Sequence, residues 1–183
     1  MDITFTKTDQ RKYEVRVCRD DGVVLRVQTP DRPVKLPHDM VHYLVERELN
    51  FARGFWGCIA AGAVFDGMLV VAGRRPPHAA ECSQEVIKTA GVQLVAAELY
   101  LSVLQGVTRD GIEHEWATVC ARLDEVWRPF RQPRPPVSAD EAVRVCRALR
   151  AAAEQWQALP IGQSITVSWP AQPHKRRQPC KRN

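Results

Sequence analysis

Residues 3–28, ITFTKTDQRKYEVRVCRDDGVVLRVQ, decide the fold class. The segments ITFTK and KYEVRVC alternate apolar and polar residues, the period-two pattern of a strand with one face buried and the other in water. RDDG then supplies a hairpin turn, and VVLRVQ returns from it. The chain therefore opens with a small antiparallel sheet.

Working outward, TPDRPVKLP (29–37) is a proline-punctuated loop in which Pro37 suits the first turn of a helix, where its missing N–H would have no partner anyway. A helix is predicted from about Pro37 to Asn50. Beyond it, FARGFWGCIAAGAVFDGMLVVAG is apolar but broken by Gly54, Gly57, Gly62 and Gly67, which predicts a short buried helix, a turn at FDG and a strand-like MLVVA. Between Ser83 and Val107 only Glu85, Lys88 and Glu98 carry charge, so one helix, apolar almost all round, is expected at the centre of the core. Asp110 with Glu113, and Ser138 with Glu141, fit the capping box and predict helices over about 111–127 and 139–158. The second repeats Ala142, Val145, Cys146, Leu149, Ala153 and Trp156 at helical spacing. RPFRQPRPPV forms a stiff Pro/Arg connector over 128–138, GQSITVSW a last strand able to rejoin the sheet, and residues 170–183 a disordered basic tail. The expected architecture is a single α+β domain over residues 1–169, a small antiparallel sheet packed against several helices.

Composition narrows the function classes. Apolar and charged fractions of 45% and 26% are those of a soluble globular chain. The six cysteines form no CxxC pair, which argues against a disulfide framework or a cysteine zinc knuckle and favours buried thiols in a reducing compartment. The polar N-terminus lacks the apolar core of a signal peptide, so a cytoplasmic location is expected. Segments 54–73 and 89–107 approach membrane-spanning length, but Ala, Gly, Gln and Ser dilute both, and core is the simpler reading. Phosphate-loop, dinucleotide and GxSxG patterns are all missing.

The chemically suggestive stretch is LPHDMVHYLVERELN, residues 36–50. Helical spacing puts His38 and His42 on one face a turn apart, the geometry in which two imidazoles share a zinc ion. His38–His42 differs from the HExxH pattern by Asp39 in the second position, one methylene shorter than the glutamate that acts there as general base. Glu46 lies too far along the axis from His38 to complete a site with it, which leaves His78, Glu81, Cys82 or His114 as third-ligand candidates. An ordinary explanation competes. Met40, Val41, Leu44 and Val45 make an apolar stripe, the two histidines lie along its edge, and Glu48 falls in its middle, where it needs a base such as Arg53 or Lys35.

LPHDMVHYLVEREL followed by GFWGCIAAGA resembles small uncharacterised bacterial proteins in which such a helix follows a short sheet. The resemblance covers residues 34–65 and implies no activity, ligand or catalytic residue.

The favoured functional expectation is a non-catalytic bacterial cytoplasmic accessory or protein-interaction protein, with another protein as its partner. The alternative is a metal-dependent hydrolase, its metal (zinc first) on His38 and His42 and Asp39 or Glu46 as base. A second alternative is nonspecific nucleic-acid binding through Lys175, Arg176, Arg177, Lys181 and Arg182, in keeping with the net charge of +5. No sequence-reading nucleic-acid motif accompanies that tail.

Overall fold

The computed structural model describes residues 1–29 and 35–170. The basic tail expected at 170–183, apart from Pro170, lies outside them. The protein is α+β, with a five-stranded antiparallel sheet and six α-helices among the described residues. By its contacts the chain divides into two compact units: the described residues of Met1–Pro33, Gly57–Thr89 and Leu159–Asn183, and those of Val34–Trp56 and Ala90–Ala158.

The first unit holds the sheet. Its strands are β1 (Asp2–Lys7), β2 (Tyr13–Cys18), β3 (Val24–Val27), β4 (Met68–Ala72) and β5 (Ser164–Ser168), in the spatial order β4-β3-β2-β1-β5. The period-two reading holds: Ile3, Phe5, Val15, Val17 and Leu25 are fully buried, while Glu14, Arg16 and Arg26 face water. The RDDG turn closes through the Gly22 amide, which donates to the Arg19 carbonyl at 3.0 Å. SITVS rejoins the sheet beside β1 as expected, with Asp2 opposite Ser168 and Thr6 opposite Ser164. Hydroxyl pairs Thr4–Thr166 (2.9 Å) and Thr6–Ser164 (2.8 Å) lace that edge.

The second unit is helical. Here α4 (Val92–Asp110) packs against α1 (His38–Glu48), α5 (Trp116–Trp127) and α6 (Ala139–Ala158). Its core joins Val41 and Val45 of α1 with Ala97, Tyr100, Leu101 and Leu104 of α4, Leu123 of α5, and Val145 and Leu149 of α6. The remaining helices are α2 (Phe55–Ala60) and α3 (Ala79–Ala90).

Three expectations need correction. The apolar run 83–107 is not one helix: Gly91 takes φ +56°, a conformation closed to an ordinary helical residue, and separates a largely exposed α3 from the buried α4. Asp110 does not cap the next helix. It ends α4 and binds Arg122 at 2.8 Å, Gly111 forms a left-handed C-cap, and α5 starts at Trp116. The Pro/Arg connector is not extended throughout: Arg128–Phe130 form a turn of 3-10 helix, and the segment is held by Tyr100 Oη donating to the Pro135 carbonyl (2.7 Å) and Trp127 Nε1 to that of Gln132 (2.9 Å). The other capping box forms as read: the Ser138 amide donates to Glu141 (2.8 Å) and the Glu141 amide to Ser138 Oγ (3.2 Å). No single described helix is long and apolar enough to cross a membrane.

Candidate metal centre

Helix α1 begins where the proline signal puts it, with the Pro37 carbonyl accepting from the Met40 and Val41 amides at 3.0 and 3.1 Å. The buried face, however, is rotated from the expected stripe. Met40, Val41, His42, Val45 and Glu46 are buried, and Leu44 is only half-buried. Glu48 is half-exposed and meets Arg144 of α6 at 3.4 Å, so neither Arg53 nor Lys35 is the base that answers it. The segment after α1 turns back along the His42–Glu46 side, which the helical wheel of α1 alone does not contain. His42 is thus no edge residue, being only 2% exposed.

Glu46 is the fixed point of the cluster. Its Oε1 accepts the Phe55 amide at 2.9 Å and its Oε2 the Trp56 amide at 3.0 Å, so the carboxylate caps the start of α2. Oε1 also lies 3.1 Å from His42 Nδ1. Gly54 makes this possible: a Cβ there would sit 2.4 Å from Glu46 Cδ, inside any real contact distance. Trp56 Nε1 closes the loop onto α1 by donating to the Asp39 carbonyl at 2.9 Å. Burial pushes the Glu46 carboxyl up, while His42 and the two amides pull it back toward the ionised form.

The other imidazole nitrogen, His42 Nε2, lies 3.3 Å from Glu98 Oε1 of α4. Burial alone would lower the His42 pKa, but hydrogen bonds and charge from Glu46 and Glu98 outweigh it and raise it to about 9. The same hydrogen bond holds Glu98 below the usual carboxylate range. His38 stacks edge-on against His42 with centroids 4.9 Å apart. One donor atom each from His38, His42 and Glu98 lie within 4.8 Å of one another. Tetrahedral zinc with bonds near 2 Å wants its ligand atoms about 3.4 Å apart. The remaining closure falls to His38 and Glu98, the two exposed members, since His42 is held by its surroundings.

The structure therefore brings together His38 and His42 as the spacing indicated, with a third member the sequence reading passed over. In the sequence Glu98 reads as one of three charges on an otherwise apolar stretch. It is the one charge between Val92 and Val107, but its side chain is 55% exposed, so nothing along the helix distinguishes it from a solvated acid and only the packing of α1 against α4 sets it beside His42. The four proposed third ligands do not join the group among the described residues. His78 immediately precedes α3, Glu81 and Cys82 lie in its first turn, and His114 is an exposed residue between α4 and α5. Of the two candidate bases, Glu46 has both oxygens occupied and is 1% exposed, so it can orient His42 but cannot receive a proton from a bound water. Asp39 is half-buried and outside the group. Lys175, Arg176, Arg177, Lys181 and Arg182 lie outside the described residues.

Comparison of the chain with protein-family models, with curated proteins and with solved structures finds no match.

Proposed function

We propose that this chain is a non-catalytic accessory protein whose helical unit takes up a divalent transition-metal ion, zinc by its donor set, on His38, His42 and Glu98. The observation that carries the reading is the carboxylate on the far side of the ring. Glu46 holds His42 Nδ1 while Nε2 points toward Glu98, and a carboxylate so placed is the usual device for fixing the tautomer of a metal-bound histidine. Two nitrogens and one carboxylate suit zinc better than magnesium or calcium, which prefer all-oxygen sites. Binding would expel the Nε2 proton and leave Nδ1–H on Glu46.

The hydrolase reading has one observation in its favour: three protein ligands leave a zinc position for water. Glu46, committed to the α2 amides, does not serve as its base, which leaves that reading with Asp39 alone. The accessory reading is preferred on that ground.

The test uses protein purified without a histidine tag. Elemental analysis and zinc titration calorimetry should give one ion per chain. Glu98→Gln, at a half-exposed side chain, should abolish binding without unfolding the helix, and Glu46→Gln should weaken it by about 10- to 100-fold. A wild-type chain that takes up no zinc, or an unchanged affinity in Glu98→Gln, would overturn the proposal.

A further inference from the structure

Zinc sites differ in how they are closed. A structural site surrounds the ion with four protein ligands, whereas a catalytic site keeps one position for water and needs a base beside it. The group of His38, His42 and Glu98 brings three donors together among the described residues, and two of them, His38 and Glu98, are exposed. Glu46, with both oxygens taken, is no base for it, and Asp39 stands outside the group. The arrangement suits neither class.

We infer that this is an exchange site, from which zinc passes to an acceptor bearing thiolate or imidazole donors, a role that rests on the metal binding proposed for the same group. The three ligands are graded in how firmly they are held. His42 is 2% exposed and fixed from three sides. Its Nδ1 lies 3.1 Å from Glu46, which two backbone amides pin in turn, the Phe55 ring packs on it with centroids 5.1 Å apart, and His38 meets it edge-on. His38 itself sits in the first turn of α1, directly after Pro37, and is exposed. Glu98 reaches across from α4 with its side chain 55% exposed, and a carboxylate suits zinc less well than an imidazole does. An acceptor donor therefore enters at the open fourth position, and the Zn–O bond to Glu98 breaks as the new Zn–S or Zn–N bond forms. His38 and then His42 give way as further acceptor donors bind. Zinc stays divalent throughout. An acceptor thiol loses its proton on binding, and His42 Nε2 takes one up on release and returns to Glu98. Thiolate acceptors draw the ion forward because zinc prefers them to a carboxylate.

The full chain is loaded with zinc, its content is measured by elemental analysis, and it is then mixed in a stopped-flow instrument with the chromogenic chelator pyridylazoresorcinol. Transfer should accelerate in proportion to chelator concentration without reaching a plateau, because the chelator joins the ion before the protein lets go. Glu98→Cys should keep its zinc and release it at least about tenfold more slowly, since a thiolate replaces the ligand that leaves first. In cobalt-loaded wild type, added mercaptoethanol should produce a thiolate-to-cobalt charge-transfer band as it takes the open position. A transfer rate independent of chelator, or a cobalt spectrum that ignores the thiol, would overturn the exchange role and leave the metal site standing. If Glu98→Cys fails to hold zinc, the wild-type kinetics decide. A chain that takes up no zinc at the loading step would remove the site itself, and the exchange role with it.

Discussion

Two buried glutamates in the helical unit, Glu46 and Glu113, solve the same problem unequally. Glu46 has both oxygens hydrogen-bonded, by two backbone amides that cannot move away and by an imidazole. Glu113 has one oxygen on Arg150 at 2.5 Å, and its Oε2, though covered, accepts no hydrogen bond among the described residues. Arg150 is itself 41% exposed and holds Glu113 below the usual carboxylate range from a position that water reaches. The contrast teaches that a covered acid becomes structural when fixed backbone dipoles satisfy it. Near the surface, a flexible partner leaves it dispensable.

The largest effect should come from Glu46→Ala. It leaves two α2 amides unpaired and removes the acceptor of His42 Nδ1, so a loss of about 3–5 kcal/mol is expected in urea denaturation. A loss under about 1 kcal/mol would collapse the distinction between the two acids.

Next is the pH dependence of the same cluster. His42 is raised to about 9 in the folded chain, so the stability its charged form confers is complete below its ordinary value near 6.5 and is lost as pH rises through about 9. Unfolding free energies of the metal-free protein measured across that window should fall by at most about 3 kcal/mol, and His42→Gln should flatten the profile. A profile unaltered by that substitution would assign the slope to other groups.

Gly54→Ala should cost about 1–3 kcal/mol by driving Glu46 off the amides. Combined with Glu46→Ala it should cost almost nothing further, because the obstructing carboxylate is gone. Additive losses would mean that Gly54 serves another purpose. Smallest of all, Glu113→Gln should stay within about 1 kcal/mol of wild type by the same measurement. A loss comparable to that of Glu46→Ala would show that Arg150 fixes its acid as firmly as the backbone does.

Much of the fold was legible because the deciding signals were local. The alternation in β1 to β3, the RDDG turn, the Ser138–Glu141 box and the stripe of α6 each depend on residues within a few positions of one another. The errors have two causes: the break at Gly91 was a local signal, a glycine free to take positive φ, that an apolar run concealed, whereas the docking of the Pro/Arg connector on Tyr100 and the orientation of α1 were settled by contacts between segments distant in sequence. A helical wheel of α1 shows which residues share a face. It does not show which face is covered.

For the candidate site the division is sharper. By itself the sequence determined that His38 and His42 stand one turn apart on a helix, since helical periodicity fixes that spacing wherever the helix packs. Only the tertiary structure decided that His42 and Glu46 point inward while Glu48 meets Arg144, because residues 51–56 fold back over that side. It also decided that the third donor is Glu98, 56 positions beyond His42 in sequence yet 3.3 Å from it. A carboxylate buried in an apolar core needs donors within hydrogen-bonding reach, and which donors arrive is set by packing between elements, which no periodicity along one helix encodes.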